Sequence, residues 1–362
     1  MDGSIVIFGL TVSSSWGNGH ATLWRGLIGA LARRGVRVVF FEKDVPYYAR
    51  HRDLSELPAG ELVLYPDWES VKGRAAAAVK AADAVIVTSY CPDGPAACAL
   101  ACELGRCSVF YDMDTPVTLA RLAAGEQVAY LPAEGLSGFD LVLSYTGGQA
   151  LTRLERELGA RRTAPLYGHV DPAVHRPAAA EDRFRGELSY LGTYSADRQA
   201  AVTALFAQPA KLRPDRRFML GGSGYGTDFP WADNIFLIEH VPPAEHPAFF
   251  ASSRLTLNAT RGDMAALGYC PSGRLFEAAA CGCPVLSDDW EGLDLFFTPG
   301  REILTAATTE EALQALDLSD AELSAIARAA RERTLAEHTS DHRAGELLGL
   351  LSAAPAALKA AS

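Results

Sequence analysis

Short runs of β-branched and apolar residues alternate with amphipathic helical stretches along almost the whole sequence. This alternation is typical of parallel sheets whose strands are joined by helical crossovers. The strand candidates of the first half are Ile5–Phe8, Val36–Phe41, Leu62–Tyr65, Ala84–Thr88, Cys107–Tyr111 and Leu141–Ser144. Those of the second half are Leu188–Leu191, Arg217–Leu220, Ile235–Ile238, Arg254–Leu257 and Pro284–Ser287. The pattern predicts an α/β protein with two doubly wound domains.

The chain has 362 residues, which is long for one core and suits two α/β domains of ordinary size. The segment LYGHVDPAVHRPAAAED breaks the strand–helix rhythm and reads as an interdomain linker. Near the C-terminus, Ser319 and Glu322 have the spacing of a capping box and predict the start of a helix. The predicted organisation is an N-terminal domain (1–166), a linker (167–182), a C-terminal domain (183–335) and a helical tail (336–362).

The net charge of -11 argues against a nucleic-acid partner, because the molecule as a whole repels polyanions. Seven cysteines without paired CxxC motifs or paired histidines argue against a zinc site and indicate reduced thiols. The N-terminus has an acid at Asp2 and an apolar run too short for a signal peptide. Apolar stretches of membrane-spanning length are absent, so we expect a cytoplasmic protein without a transmembrane segment.

The strongest site signal is the segment CPSGRLFEAAACGCPVLS, which reads as loop, helix, tight turn and strand. Ser272 is a good N-cap, and Gly282 suits the position just after the helix. The free N–H groups of Gly273 and its neighbours, together with Arg274, suit a diphosphate. Glu277 lies one turn further along the same face, where a carboxylate could accept both ribose hydroxyls. The alternatives are a solvated glutamate and a surface salt bridge of Arg274.

This segment resembles the nucleotide-sugar signature of GT-B glycosyltransferases, in which a glutamate at the position of Glu277 holds the donor ribose. Together with SYLGTYSADRQ and LNATRGDMAALGYCPSGRLFEAAACG, it is similar above all to the CgeB-like, or spore-maturation-type, glycosyltransferases. The resemblance implies two Rossmann-like doubly wound domains that face each other across a cleft, with C-terminal helices. It also implies an EC 2.4 transferase that retains the anomeric configuration and uses a nucleotide-diphosphate sugar, a UDP-sugar being favoured, without cofactor or metal. The acceptor, a small molecule or glycan, and the oligomeric state are not implied.

The sequence departs from that family at Tyr269. Many related retaining enzymes carry a second glutamate there, eight residues before the ribose-binding one. Donor-sugar contacts made through that glutamate are therefore not implied for this chain.

Two further segments are predicted to complete the donor site. Gly192 and Thr193 follow a strand, and glycine lets the backbone approach a ligand closely. Arg198 begins the next helix and is expected to reach the diphosphate, the alternative being a surface pair with Asp197. Arg261 ends another strand on the side where open α/β sheets bind ligands, and is a candidate phosphate or sugar contact.

The resemblance also implies that backbone groups of His240 and Val241 contact the nucleotide base. A histidine that is merely packed in the protein is the alternative.

The loop SSSWGNGHAT in the first half carries Gly19 and His20 at the start of a helix. His20 could act as a general base on the acceptor hydroxyl, hold the sugar or phosphate, or have no catalytic task. Asp112 and Asp114 follow a strand at alternate positions, so that one acid could act as base while the other orients it. They could equally be turn-forming acids before Pro116.

Three rival functions are considered. Glu42 at the end of the second strand would suit an NAD-dependent enzyme, but the glycine fingerprint is incomplete. A nucleotide-sugar epimerase would share both fold and donor site, and a degenerate GT-B protein could bind nucleotide-sugar without turnover. A metal-binding DxD motif at Asp112 and Asp114 is discounted, because the resemblance implies arginines and helix ends at the departing diphosphate.

Overall fold

The protein is described here by a computed structural model that covers residues 3–361, with side chains up to Ala354. Asp2, on which the signal-peptide expectation partly depends, and Ser362 of the predicted tail lie outside the described residues. The chain forms two compact units. The first comprises the chain up to Tyr167 and the residues from Ser340 onward, and the second is Gly168–Thr339.

A seven-stranded parallel sheet forms the centre of the first unit, with strand order β3-β2-β1-β4-β5-β6-β7. Its strands are Ser4–Gly9 (β1), Arg37–Lys43 (β2), Gly60–Tyr65 (β3), Ala84–Thr88 (β4), Ser108–Asp112 (β5), Leu141–Ser144 (β6) and Thr163–Pro165 (β7). Its first six helices are Gly19–Arg33 (α1), Pro46–Ala49 (α2), Trp68–Ala81 (α3), Gly94–Leu104 (α4), Thr115–Ala123 (α5) and Gln149–Leu158 (α6). Strand order reverses beside β1, as in doubly wound folds.

The second unit is built on a six-stranded parallel sheet, with strand order β10-β9-β8-β11-β12-β13. Its strands are Gly186–Leu191 (β8), Phe218–Gly221 (β9), Ile235–Ile238 (β10), Ser253–Asn258 (β11), Val285–Ser287 (β12) and Leu304–Thr305 (β13). Its α-helices are Gln199–Val202 (α7), Gln208–Leu212 (α8), His246–Ala251 (α9), Gly262–Leu267 (α10), Gly273–Ala280 (α11), Thr309–Leu316 (α12) and Asp320–Glu337 (α13). A π-helical turn, Thr203–Ala207, joins α7 to α8. Short 3-10 turns occur at Asp182–Phe184, Ala196–Arg198, Pro243–Glu245 and Leu293–Leu295.

Each unit has its own apolar core, because its parallel strands are covered by helices and carry nearly continuous hydrophobic runs. In the first unit, Phe8 and Phe110 of the central strands are fully buried. In the second, Tyr190 and Leu257 of the central strands pack with Phe206 of the π-helical turn. The predicted fold class is confirmed: all eleven predicted strands are present, with bounds shifted by at most two residues.

The last helix, Ser340–Ala361 (α14), packs on α1 within the first unit. Asp341 at its start forms an ion pair with Arg33 (Nη2–Oδ2 2.9 Å), and its carbonyl accepts from Arg34 (2.8 Å). The sequence predicted only a helical tail for these residues, and the predicted domain limits remain predictions. The capping box of Ser319 and Glu322 is confirmed at the start of α13. Within residues 3–361, every helix is too short or too polar to cross a membrane.

Candidate functional site

The N-terminus of α11 is built as the sequence predicts. The side chain of Ser272 accepts a hydrogen bond from the backbone N–H of Arg274 (3.3 Å) and caps the helix. Past its end, Gly282 adopts a positive φ of 79°, which favours glycine and turns the chain toward β12. The first turn of α11 therefore presents backbone N–H groups and a cationic side chain together.

Glu277 lies on α11 three residues after Arg274, and its side chain is buried, with only 8% of the residue exposed. Its two carboxylate oxygens approach two imidazoles, Oε1 lying 3.9 Å from Nε2 of His175 and Oε2 3.7 Å from Nδ1 of His246. Burial alone would raise its pKa, but attraction by the two histidines and by Arg274 outweighs this and lowers the pKa of Glu277. The alternative of a solvated glutamate is therefore wrong.

His175 and His246 were not among the predicted site residues. His175 Nε2 lies 3.2 Å from His246 Nδ1, and His246 Nε2 lies 3.1 Å from the carbonyl oxygen of Val241. Burial lowers the pKa of His246 to about 4, against the attraction of Glu277. Because a carbonyl oxygen only accepts hydrogen bonds, Nε2 of His246 carries a proton and donates it to Val241.

Arg198 and Arg274 both interact with Tyr190, Arg198 with its ring and Arg274 with the charge of its hydroxyl group. Arg198 donates to the carbonyl of Thr193 and lies over the ring of Tyr190, 6.0 Å from its centroid. The buried Nε atoms of both arginines lack a hydrogen-bond partner. Burial lowers the pKa of Arg274, whereas the hydroxyl of Tyr190 raises it. The two cations are close enough to influence each other, and each keeps an unused Nε donor, which suits an anion.

Gly192 is required by its neighbours. A Cβ atom there would lie 2.8 Å from the hydroxyl of Tyr190 and 3.4 Å from Nη2 of Arg198. A Cβ at Gly222 would lie 2.1 Å from the carbonyl oxygen of Gly192, so the ends of β8 and β9 can approach only as glycines. The backbone at Gly192 therefore makes the predicted close approach, here to Tyr190, Arg198 and Gly222 of the protein itself.

Arg261 forms an ion pair with Asp197 (Nε–Oδ2 3.0 Å). The alternative pair of Asp197 with Arg198 is therefore not the one that forms, and the phosphate contact of Arg261 remains a prediction. The base contacts of His240 and Val241 also remain predictions. Val241 is buried, and its carbonyl is already used by His246.

In the first unit, the loop after β1 is anchored by a buried carboxylate. Glu42, at the end of β2, accepts hydrogen bonds from the hydroxyl of Thr11 (2.8 Å), the N–H of Val12 (2.7 Å) and both the N–H and the hydroxyl of Ser13 (3.0 and 2.5 Å). Both oxygens of this acid are therefore engaged by the loop. Glu42 is not available for a ribose, which removes the residue that favoured an NAD-dependent enzyme.

The same loop carries His20 into α1, where Asn18 is the N-cap and accepts from the His20 N–H (3.1 Å). His20 Nε2 lies 2.7 Å from Oδ2 of Asp114, and its Nδ1 is buried without a hydrogen-bond partner. Burial alone would lower the pKa of His20, but the charge and hydrogen bond of Asp114, with help from Asp112, raise it. Gly19 precedes His20 in an open position.

Asp112 and Asp114 take different positions after β5. Oδ1 of Asp112 accepts from the N–H of Asp114 (3.0 Å), which is the turn-forming arrangement, while Oδ2 is buried without a partner. Burial raises the pKa of Asp112 to about 7. Asp114 occupies the N-cap position of α5, but its side chain contacts His20 instead of capping the helix. The structure thus brings the three predicted catalytic side chains together.

Comparison with known proteins identifies the fold. The sequence profile of a family described as "Glycosyl transferase-like" matches residues 198–349. Sucrose-phosphate synthase from Thermosynechococcus elongatus is similar over 99% of this chain and 100% of that one (16% identity, TM-score 0.70). HepE from Anabaena, solved with UDP-glucose, is similar over 97% and 99% of the two chains (14% identity, TM-score 0.64).

AviGT4, a glycosyltransferase of avilamycin A biosynthesis, is similar over 98% of both chains (17% identity, TM-score 0.64). The chain has the GT-B fold. The search of curated proteins finds no match to this sequence. The similarities agree with the predicted enzyme class, a glycosyltransferase of EC 2.4. The segment of this chain that matches the family profile, residues 198–349, includes Arg198, Arg274 and Glu277.

The anchoring of the loop by Glu42 gives a stability prediction. Glu42→Gln replaces one acceptor oxygen by an NH₂ group that faces N–H and O–H donors. We expect a loss of about 3 kcal/mol in the free energy of unfolding, measured by urea denaturation. Glu61→Gln on the neighbouring β3 is the control, since its ion pairs with Arg37 and Arg74 are exposed and worth less than about 1 kcal/mol. Equal stability losses in the two variants would contradict the prediction.

Proposed function

We propose that the protein transfers a sugar from a nucleotide-diphosphate sugar, a UDP-sugar being favoured, to an unidentified acceptor, as a CgeB-like glycosyltransferase. The observation that carries this proposal is the buried, ionised Glu277 one turn after Arg274 on a helix with a capped N-terminus. HepE and an α-glucosyltransferase of similar fold have been solved with UDP-glucose, which supports the choice of donor.

In the proposed donor complex, Glu277 accepts hydrogen bonds from the ribose hydroxyls, because a carboxylate can accept two at once. The diphosphate lies between Arg274 and Arg198, where the unused guanidinium donors are, and receives N–H groups from the start of α11. These fixed cations stabilise the departing diphosphate, so the proposed transfer step needs no metal ion.

The ribose contact is tested by Glu277→Gln. We expect the dissociation constant of the preferred nucleoside diphosphate to rise about 10- to 100-fold, since hydrogen bonds to a charged acceptor are worth about 1.5–3 kcal/mol. A thermal-shift panel of UDP, GDP, dTDP, ADP, their sugar conjugates and NAD identifies the ligand. At about 100 times its dissociation constant, a ligand should stabilise the wild type by about 2.7 kcal/mol.

Glu310→Gln, at an exposed helix position of the same unit, is the matched control and should bind like the wild type. A panel without any response to nucleoside diphosphates would overturn the donor proposal. A thermal shift with NAD alone would favour an NAD-dependent enzyme instead. Free 2-epimerised sugar among the products would favour the epimerase.

On the acceptor side, His20 is the proposed general base. Its Nε2–H is held by Asp114, so Nδ1 carries the lone pair and has no partner. This is the arrangement of an oriented base: the acid fixes the tautomer and stabilises the imidazolium formed when the acceptor hydroxyl loses its proton. Asp112, with a pKa of about 7, is the neighbouring group that can exchange a proton in the same range.

We expect His20→Ala to lower kcat about 10²- to 10⁴-fold, with an unchanged dissociation constant for the nucleoside diphosphate. Turnover is followed as nucleoside diphosphate released from the donor. A base must be neutral, so kcat/KM should fall as the pH drops through the raised pKa of His20, above 6.5. In Asp114→Asn the attraction is lost and burial lowers the pKa, which should move this acidic limb to lower pH. An acidic limb that stays in place would exclude His20 as its source.

The stereochemical outcome separates two versions of the proposal. The family resemblance favours retention, in which His20 would hold the donor sugar or phosphate. The His20–Asp114 pair favours inversion, because a base on the acceptor hydroxyl is what a single displacement requires. The anomeric proton coupling in the NMR spectrum of the product distinguishes them. Retention would assign His20 to donor binding, and inversion would assign it as the base.

A further inference from the structure

Three side chains of the second unit bring ligand atoms for a metal ion together. One nitrogen each of His175 and His246 and one carboxylate oxygen of Glu277 lie within 4.8 Å of one another. The nitrogens are 3.2 Å apart, and the carboxylate oxygens lie 3.9 Å from His175 and 3.7 Å from His246. His175 is 1% exposed, and the other two side chains are exposed by 12% or less.

These separations fit a small divalent ion. With metal–nitrogen distances of about 2.0–2.1 Å, two ligand atoms of a tetrahedral zinc site lie about 3.4 Å apart. The distance between the two histidine nitrogens is close to that value. The two histidine–carboxylate distances, 3.9 and 3.7 Å, are longer and involve different oxygens of Glu277, so the carboxylate must rotate to offer one oxygen to both imidazoles. Two imidazoles and one carboxylate, with a fourth position left for water, are a ligand set that zinc adopts in proteins.

The surroundings of His246 also suit a ligand. A metal-binding histidine usually donates its second ring N–H to a carbonyl or carboxylate, which fixes the tautomer. His246 Nε2 does so to the carbonyl of Val241 (3.1 Å), and this directs the lone pair of Nδ1 toward Glu277 and His175.

The nitrogen of His175 that does not face the other two ligands is Nδ1. This atom is buried and has no hydrogen-bond partner, although the imidazole is almost fully enclosed. In the metal-free pair, Nε2–H of His175 donates a hydrogen bond to Nδ1 of His246. An ion would replace that single hydrogen bond by two nitrogen–metal bonds, with the proton of His175 carried on Nδ1.

Arg274 opposes a cation at this place. Its positive charge acts on both Glu277 and His246. The charge of Arg274 should therefore increase the affinity for a nucleoside diphosphate and decrease the affinity for a metal ion. One substitution of Arg274 should change the two affinities in opposite directions.

We propose that His175, His246 and Glu277 bind a divalent transition-metal ion, Zn²⁺ fitting best, and that this ion competes with the nucleotide for Glu277. The proposed metal site depends only on the three side chains. The proposed competition between the ion and the nucleotide rests on the proposed function. Transition metals are favoured over Mg²⁺ and Ca²⁺ because two of the three ligands are imidazoles. The site therefore makes the transferase sensitive to inhibition by such an ion without giving the ion a part in transfer.

Co²⁺ is the probe, added to metal-stripped protein and followed by the visible absorption of four-coordinate cobalt, with Zn²⁺ titrated calorimetrically. We expect one equivalent to bind the wild type, and His175→Ala and His246→Ala to weaken binding more than about 100-fold. His246→Gln keeps more of the side-chain volume and should also lose the ion. His51→Ala, at an exposed histidine of the first unit, is the matched control. Circular dichroism checks that each variant is folded.

Undiminished Co²⁺ binding in folded His175 and His246 variants, or none in the wild type, would overturn the metal site. The second measurement is displacement: saturating UDP should remove the cobalt spectrum, and Arg274→Gln should tighten Co²⁺ while weakening UDP. Cobalt that persists with UDP bound would overturn the competition and leave the site. If UDP fails to bind at all, the proposed function fails, whereas the cobalt titration still decides the metal site.

Discussion

The buried negative charge of Glu277 is the constraint on which the second unit's candidate site depends. An isolated carboxylate in such a place would become neutral, because burial penalises the charged form. Here the two histidines and Arg274 reverse the effect, and the pKa of Glu277 is lowered. Substituting any of the three partners therefore removes part of the attraction that lowers the pKa of Glu277.

Most of the fold could be predicted from the sequence because its strands are buried on both faces. Such strands are continuous apolar runs bounded by helices, a pattern that does not depend on distant residues. The two missed strands, β7 and β13, have three and two residues and carry too little pattern to be recognised. The packing of α14 on α1 was missed for another reason: it brings together residues far apart in the chain, such as Arg33 and Asp341, which are 308 positions apart. The local hydrophobic periodicity of a helix does not indicate which distant helix it packs against.

The candidate site divides in the same way. Ser272, Arg274 and Glu277 share one helix, so helical spacing predicted their common face, and the cap was visible in the sequence. His20 and Asp114 were named separately, and their 2.7 Å contact follows only from the adjacency of β1-, β4- and β5-linked loops in the sheet. His175 was hidden in a segment interpreted as linker, and His246 at the start of a six-residue helix. Their positions relative to Glu277 depend on tertiary folding alone.

Two buried carboxylates, Glu277 and Asp112, reach opposite states by the same physics. Glu277 is surrounded by cationic and imidazole groups and stays charged, which suits a fixed acceptor for hydroxyl groups. Asp112 has hydrogen bonds that favour its charged form, but burial and the nearby charge of Asp114 prevail, and its pKa rises to about 7. A group at that pKa can gain or lose a proton at little cost near neutral pH. The environments of the two acids therefore favour ligand binding by Glu277 and proton exchange beside His20.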